Sequence, residues 1–236
     1  MVERIEKVPT GIEGFDKVLK GGFVKNSVNL ISGSSGTGKT LFGVSFIYYG
    51  AVKYGEKGVY ITLEEPKDRV VLNCSAIGLD LNSVDTNLFK FHDLASERGS
   101  FSADTELSPS SKNPIIMDNL LKYIRLYFGD AKRLVLDSVV PLNLVCKDLK
   151  EFRSNLFRFS MGLRKSGITC IFTTEVPYNS DDTSRFDIED FVADSVTKLI
   201  ATDKGNQLKV HKMRGSDFVR GNVDYNITKD GIKVLF

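Results

Sequence analysis

Apolar runs of strand length alternate with helical repeats of apolar residues along most of this chain. Five runs predict strands, at residues 27–32, 59–63, 88–91, 133–137 and 167–175. Between them, apolar residues recur at helical spacing, most clearly at Phe152, Leu156, Phe159 and Leu163. Strands that alternate with helices predict an α/β fold, in which helices flank a central, mostly parallel sheet.

The pattern changes after residue 192, where helical repeats give way to strands joined by short turns. Runs at 195–202, 208–214, 223–228 and 232–236 predict antiparallel strands at the C-terminal edge of the sheet. The serine-rich segment 95–114 predicts a flexible loop, because it cannot bury enough apolar surface to offset the entropy of ordering. We expect one domain over residues 1–236, since no internal repeat is visible.

Composition and charge indicate an ordinary globular protein but do not identify a binding partner. The chain has 236 residues, of which 42% are hydrophobic and 26% charged, and this excludes disorder of the whole chain. Its net charge of +2 neither indicates nor excludes nucleic acid. Cys74, Cys146 and Cys170 are far apart, so neither a zinc site nor a disulfide is indicated. No apolar run approaches the roughly 20 residues that cross a bilayer, and we expect a cytoplasmic protein without membrane contact.

The strongest chemical signal is the sequence GSSGTGKT from Gly33 to Thr40, a complete P-loop pattern between a predicted strand and a predicted helix. Its glycines let backbone N–H groups close around phosphate oxygens at a helix N-terminus. We expect Lys39 to reach the β- and γ-phosphates, and Thr40 to offer its hydroxyl to Mg²⁺. The residues predicted to bind the nucleotide are Ser34, Ser35, Gly36, Thr37, Gly38, Lys39, Thr40 and Leu41.

Acidic residues follow two of the predicted strands. Asp137 ends one apolar run, where it can hold Mg²⁺ through water alongside Thr40; the alternative is that it caps the next helix. Glu64 and Glu65 end the strand after the P-loop helix, where a carboxylate can polarise a water that attacks the γ-phosphate. On spacing alone, a solvated pair at the start of a helix is an equally good interpretation.

Two cations lie on one face of an alternating run near the C-terminus. Lys212 and Arg214, followed by Gly215, could meet a phosphate in the same subunit or across an interface. The ordinary explanation is that such residues lie on a solvated edge strand, where their charges prevent pairing with the strand of another molecule.

Taken together and in order, these motifs resemble the KaiC-like ATPases, within the wider RecA/RadA superfamily of P-loop NTPases. The resemblance covers nearly the whole chain. It rests on TGIEGFD from Thr10 with Gly21 and Gly22, the P-loop, ITLEE from Ile61, LDS from Leu136, TTE from Thr173 and KMRG from Lys212. Only the P-loop is specific by itself, and the other motifs gain their weight from their order.

The resemblance implies a RecA-like fold in a single-domain member of the family. It also implies that ATP, with Mg²⁺, is hydrolysed at the interfaces of a homo-oligomeric ring, commonly of six subunits. Lys39 and Glu64 would be catalytic, with Glu65 supporting Glu64, and Lys212 and Arg214 would be fingers that reach a neighbour's γ-phosphate. Such cations contribute roughly 10³-fold or more in rate. A regulatory role toward an unnamed protein partner fits this chemistry.

Other functions stay open at this point. The chain could be a nucleotide-gated scaffold with little turnover, for which loss of Glu64 would matter little. A RadA-like accessory of DNA recombination or repair rests on the superfamily alone, and would bind DNA with a steep salt dependence. The segment that is autophosphorylated in the family corresponds to residues 178–186, where Ser180, Thr183 and Ser184 supply hydroxyls for an autokinase. Thr173 and Thr174 would lie where the superfamily senses phosphate.

Overall fold

The computed structural model describes residues 5–96, 117–178 and 180–236. Its strands are β1 Lys7–Val8, β2 Phe23–Val24, β3 Val28–Gly33, β4 Gly58–Thr62, β5 Phe89–Asp93, β6 Arg133–Asp137, β7 Thr169–Glu175, β8 Ser195–Thr202, β9 Gly205–Met213, β10 Asn222–Thr228 and β11 Gly231–Val234. Its helices are α1 Phe15–Val18, α2 Lys39–Tyr54, α3 Lys67–Ser75, α4 Met117–Phe128, α5 Leu149–Lys165 and α6 Glu189–Val192, with 3₁₀ helices at Leu81–Ser83 and Val140–Val145.

Nine of the described strands form one sheet, in the order β11-β10-β9-β8-β3-β7-β6-β4-β5. The strands from β8 to β5 run parallel to one another, and β9, β10 and β11 are added antiparallel. The predicted α/β fold, with antiparallel strands at the C-terminal edge of a mostly parallel sheet, is therefore confirmed. The separate β1–β2 pair was not predicted, because strands of two residues are too short to show alternation.

Several element bounds differ from those expected, because strand ends depend on pairing partners that the sequence does not reveal. The strand predicted at 88–91 continues through His92 and Asp93, which pair with Ile61 and Thr62 of β4. Strand β9 begins at Gly205, three residues before the predicted run, and ends at Met213, one residue before Arg214. Both strands are therefore longer than their apolar runs suggest, and pairing with the neighbouring strands sets where they end.

The buried strands place alternate side chains on opposite faces of the sheet. In β6, Leu134 and Leu136 belong to a core cluster with α5, and Val135 belongs to a second cluster with α2. Helix α2 packs so closely that a Cβ on Gly43 would lie 2.9 Å from Val135 Cγ1. Since both faces are covered, the central strands are apolar throughout, which made them visible as continuous runs.

Three further expectations concern segments and single residues. The predicted loop 95–114 lies outside the described residues, apart from Ala95 and Ser96. In the part of the chain that the structure covers, no helix has the length and apolar character needed to span a membrane. The three cysteines are free thiols; Cys74 and Cys170 are buried in the core, and burial raises the pKa of Cys74 to about 12.

Candidate functional site

The P-loop connects β3 to α2, the context that its motif requires. Strand β3 ends at Gly33, and α2 begins at Lys39. Gly36 and Gly38 have φ values of 81° and 89°, a left-handed conformation that side chains disfavour. The loop can therefore turn successive N–H groups toward an anion at the helix N-terminus.

The hairpin formed by β10 and β11 packs against the P-loop. The Tyr225 hydroxyl donates a 2.6 Å hydrogen bond to the backbone oxygen of Thr37, 188 residues earlier in the chain. A Cβ on Gly38 would lie 2.7 Å from Ile227 Cδ1, so a larger residue would have to displace the end of that side chain as well as adopt an unfavourable φ. Sequence reasoning missed Tyr225 and Ile227, because an alternating strand does not show which element it will contact.

Lys39 lies among carboxylates at the base of the P-loop. Its Nζ donates to the backbone oxygen of Ser34 at 2.9 Å. Burial lowers the pKa of Lys39, and the negative charges of Glu175, Asp137 and Glu64 oppose this shift. The ammonium group can exchange the neutral Ser34 oxygen for a phosphate oxygen, which is the stronger, charge-assisted partner.

Asp137 ends β6 with its carboxylate among three hydroxyl groups. Thr40 donates to Oδ2 at 2.8 Å, Tyr60 donates to the same oxygen, and Thr173 donates to Oδ1. Asp137 is only 6% exposed. The 3₁₀ helix that follows has Val139 as its N-cap and no side-chain cap, so Asp137 does not cap it. The carboxylate is oriented by α2, β4 and β7 together.

Glu64 follows β4 and faces the same cleft. Burial raises the pKa of Glu64, and the nearby carboxylates of Asp137 and Glu175 add to the rise, whereas a hydrogen bond with Ser138 and the charge of Lys39 oppose it. A carboxylate whose pKa is raised toward the working pH is a better general base. These surroundings are compatible with the predicted role of Glu64 as proton acceptor, which stays a prediction.

Glu65 has a different environment from its neighbour. Its Oε1 accepts a 3.2 Å hydrogen bond from Asn73 Nδ2 of α3, and its backbone oxygen accepts a 2.6 Å bond from the Thr62 hydroxyl. Glu65 is therefore tied to α3 at the side of the cleft. This arrangement suits a supporting role beside Glu64.

A cleft of about 500 Å³ opens between the P-loop and the carboxyl ends of the strands. Its lining includes Ser35, Gly36, Gly38, Lys39, Thr40, Leu41, Glu64, Glu65, Asn73, Asp137, Glu175 and Ile227. Of the predicted nucleotide-binding residues, Ser34 and Thr37 do not line this cleft, and the Thr37 hydroxyl donates to the Ser34 backbone oxygen at 2.8 Å. These two residues shape the loop.

The donor atoms in the cleft fit Mg²⁺ that is bound together with a nucleotide. The described residues contain no group of three or more His, Cys, Asp or Glu side chains that could hold a metal alone. In P-loop proteins Mg²⁺ takes few protein ligands, and phosphate and water supply the others. The Thr40 hydroxyl and the Asp137 carboxylate, 2.8 Å apart, match that requirement.

Lys212 and Arg214 lie away from the P-loop of their own chain. The neighbouring Met213 pairs with Ser195, which lies beside Asn29 near the start of β3, whereas the P-loop leaves the opposite end of that strand. Neither cation is among the residues found lining the cleft. The Arg214 side chain is 55% exposed. Within one chain, the structure does not bring these cations together with the P-loop.

The two threonines near the end of β7 point to opposite sides of the sheet. Thr173 contacts Asp137, whereas the Thr174 hydroxyl donates to Glu189 Oε1 of α6 at 2.9 Å. Only Thr173 therefore contacts the acidic residue of the predicted metal site.

The hydroxyls considered for an autokinase are bonded to carboxylates near α6. Thr183 and Ser184 donate to Asp190 at 3.0 and 3.3 Å, and Ser180 donates to Asp182. Autophosphorylation of this segment stays a prediction.

Comparisons with known proteins agree on one family. A family model described as "ATPase: KaiC" matches residues 8–236. The circadian clock oscillator protein KaiC of Parathermosynechococcus lividus is 32% identical over 98% of this chain and 42% of its own length. The same protein of Acaryochloris marina is 31% identical over 98% of this chain and 44% of its own length. The crystal structure of a KaiC-like protein from the archaeon Pyrococcus horikoshii OT3 superposes with a TM-score of 0.81 at 30% identity, covering 99% of this chain and 100% of that one. The chain thus spans less than half the length of these clock proteins.

Proposed function

The chain belongs to the KaiC family of ATPases, and from this premise we propose that it hydrolyses Mg²⁺-bound ATP at the interfaces between subunits of a homo-oligomeric ring. Family membership supports ATP binding and hydrolysis in general. The interfacial location, the dependence on Mg²⁺ and a regulatory role toward a protein partner are our proposals. A ring of six subunits is the arrangement that the family resemblance suggests.

The proposed chemistry begins with phosphate binding by the P-loop. Backbone N–H groups around Gly36 and Gly38 receive phosphate oxygens, and Lys39 moves from the Ser34 oxygen to the β- and γ-phosphates. Thr40 and Asp137 would hold the metal ion. When bound, Mg²⁺ neutralises negative charge on the phosphates.

Water attack on the γ-phosphate is assigned to Glu64. This carboxylate faces the cleft beside Lys39, and burial together with the charges of Asp137 and Glu175 raises its pKa. Glu64 orients the water and accepts its proton, while Glu65 remains bonded to Asn73 and keeps the end of β4 in place.

The observation that carries the interfacial location is the position of Lys212 and Arg214. Among the residues that the structure describes, Lys39 supplies the one cation that lines the cleft, alongside Glu64, Glu65, Asp137 and Glu175. Phosphoryl transfer benefits from further cations on the developing charge, and an arginine can be supplied from another subunit. An exposed Arg214 that lies away from its own P-loop is available to a neighbour's cleft.

The experiment compares wild-type protein with Arg214→Ala and Glu64→Gln. We measure ATP turnover, and particle mass in the presence of ATP and Mg²⁺. We expect a wild-type ring that hydrolyses ATP, an Arg214→Ala ring that turns over roughly 10³-fold more slowly, and a Glu64→Gln ring without turnover. Arg158→Ala is the matched control, because Arg158 is 59% exposed and lies 3.8 Å from Asp118, much as Arg214 lies 3.8 Å from Asp194.

Three results would overturn the proposal. A monomer that hydrolyses ATP at the rate of larger assemblies would exclude an interfacial site. An Arg214→Ala variant with wild-type turnover would exclude the finger. A wild-type ring without turnover would favour the alternative of a nucleotide-gated scaffold.

A further inference from the structure

Three cations meet the backbone oxygens of α6. Such oxygens near a helix C-terminus lack helical partners and carry partial negative charge. The contacts are Lys212 Nζ with the Asp190 oxygen, Arg214 Nη2 with the Phe191 oxygen at 3.4 Å and Arg164 Nη2 with the Val192 oxygen at 2.7 Å. Both proposed finger cations are thus held by the same short helix.

Asp194, just beyond α6, links the two arginines. Its Oδ2 accepts a 2.9 Å hydrogen bond from Arg164 Nε and another of 2.9 Å from the Val28 amide. The distance from its Oδ1 to Arg214 Nη1 is longer, 3.8 Å. Arg214 can therefore move away from Asp194 to bind a phosphate group, while Asp194 stays paired with Arg164.

Glu189, the first residue of α6, anchors the helix to the sheet. Its side chain is fully buried. Oε1 accepts the Thr174 hydroxyl at 2.9 Å, and Oε2 accepts the amides of Phe186 at 3.1 Å and Ile188 at 3.4 Å. A buried carboxylate is tolerated only where such bonds compensate its lost hydration, so its position is closely defined.

The anchor lies next to the catalytic cleft. Thr174 follows Thr173, whose hydroxyl donates to Asp137 on the opposite face of β7. One end of β7 therefore contacts the predicted metal site through Thr173 and α6 through Thr174. Glu189 connects this end of the strand to the helix that holds Lys212 and Arg214.

We propose that Glu189 is a positioning residue for ATP hydrolysis in the adjacent subunit: by fixing α6 to Thr174, it sets where Lys212 and Arg214 are presented to the neighbour's phosphate. The inference rests on the proposed interfacial site and adds a residue that touches neither nucleotide nor metal. Loss of the anchor loosens α6, and the cations that it holds are then misplaced.

The first test is Glu189→Gln, which can still accept the Thr174 hydroxyl but replaces the oxygen that accepts two amides with an NH₂ group. A misplacement of about 1 Å can cost roughly 10²-fold in rate, so we expect kcat to fall by about this factor. The KM for ATP and the mass of the ring should stay unchanged, because the P-loop is not altered.

The second test asks in which subunit Glu189 acts. Glu189→Gln subunits are assembled with an excess of Glu64→Gln subunits, which cannot hydrolyse ATP but carry intact finger cations. Each Glu189→Gln subunit then has an intact base of its own and receives fingers from its neighbour. We expect turnover per Glu189→Gln subunit to recover toward the wild-type value.

The same mixture made with Arg214→Ala separates this inference from the proposed function. If Arg214→Ala recovers and Glu189→Gln does not, Glu189 acts within its own cleft or only on folding, and the inference is wrong. If Arg214→Ala does not recover, the fingers do not act between subunits, and the proposed function fails first. Recovery of both variants supports both statements.

A second pair of variants covers the case in which Glu189→Gln does not fold. Thr174→Val removes the hydroxyl that Glu189 accepts, and Thr169→Val is its matched control. Thr169 lies at the other end of β7, is equally buried and accepts one bond, of 3.0 Å, from the Asn26 amide. We expect only Thr174→Val to lower kcat and to recover on mixing; equal kcat losses in the two variants would overturn the inference.

Discussion

The Thr40 hydroxyl donates a 2.8 Å hydrogen bond to Asp137, 97 residues further along the chain. The bond connects the helix after the P-loop to the end of β6, two strands away from β3 in the sheet. Thr173 of the intervening β7 bonds the other carboxylate oxygen. The proposed metal ligands are therefore aligned by α2 together with the neighbouring strands of the sheet.

Removal of a hydroxyl that orients Asp137 should weaken metal binding. Tyr60 is fully buried and donates to Asp137 Oδ2, and burial together with the Asp137 charge raises the pKa of Tyr60, so it remains a donor. We expect Tyr60→Phe to raise the Mg²⁺ concentration for half-maximal turnover by roughly 10- to 100-fold. Tyr127→Phe, at a tyrosine that is 63% exposed, is the control. Unchanged Mg²⁺ dependence in Tyr60→Phe would contradict this role of the hydroxyl.

The pH dependence of turnover should report Glu64. Its pKa is raised, so the carboxylate is protonated, and inactive as a base, at a higher pH than an ordinary glutamate. We expect the acidic limb of kcat/KM to lie above about pH 4.3, the ordinary value for glutamate. Glu65→Gln should keep this limb. If Glu65→Gln shifts the acidic limb of the kcat/KM profile, the general base is Glu65 and not Glu64.

The bond between the C-terminal hairpin and the P-loop should matter for nucleotide affinity. Tyr225→Phe leaves the Thr37 oxygen without its 2.6 Å partner and allows the loop to shift. We expect a higher KM for ATP, a nearly unchanged kcat, and a loss of about 1 kcal/mol in the free energy of unfolding. Steady-state kinetics and urea denaturation measure both effects. A fall in kcat at constant KM would show that the hairpin acts on the chemical step instead.

The ion pair of Arg133, at the opposite end of β6 from Asp137, should contribute to the stability of the fold. Arg133 is fully buried, its Nε donates to Glu56 at 2.6 Å, and its Nη1 donates to the Phe46 oxygen at 3.0 Å. We expect Glu56→Ala to lower the free energy of unfolding by about 2 kcal/mol, less than for a fully buried pair, because Glu56 is 33% exposed and water can partly replace it.

The exposed pair of Lys25 and Glu6 gives the matched control for this stability prediction. Both side chains are well exposed, at 46% and 68%. Glu6→Ala should change the free energy of unfolding by less than about 1 kcal/mol. If the two glutamate variants lose equal stability in urea denaturation, burial of Arg133 is not the cause.

Much of the fold could be predicted because its signals are local. The P-loop is a short motif whose glycines and helix start are encoded in consecutive residues, and Gly36, Gly38 and Lys39 adopt the expected conformations. Buried parallel strands are apolar on both faces and are therefore visible as runs. The two-residue strands β1 and β2 lack such a signal and were missed.

The sequence by itself determined the alternation of strands and helices, the P-loop and the acidic residues at strand ends, because backbone conformation and apolar periodicity depend on near neighbours. Only the tertiary structure decided that Tyr60 and Thr173 meet at Asp137, that Tyr225 holds the P-loop, and that Glu189 anchors α6. These contacts follow from a strand order that is not the chain order, which no local pattern specifies.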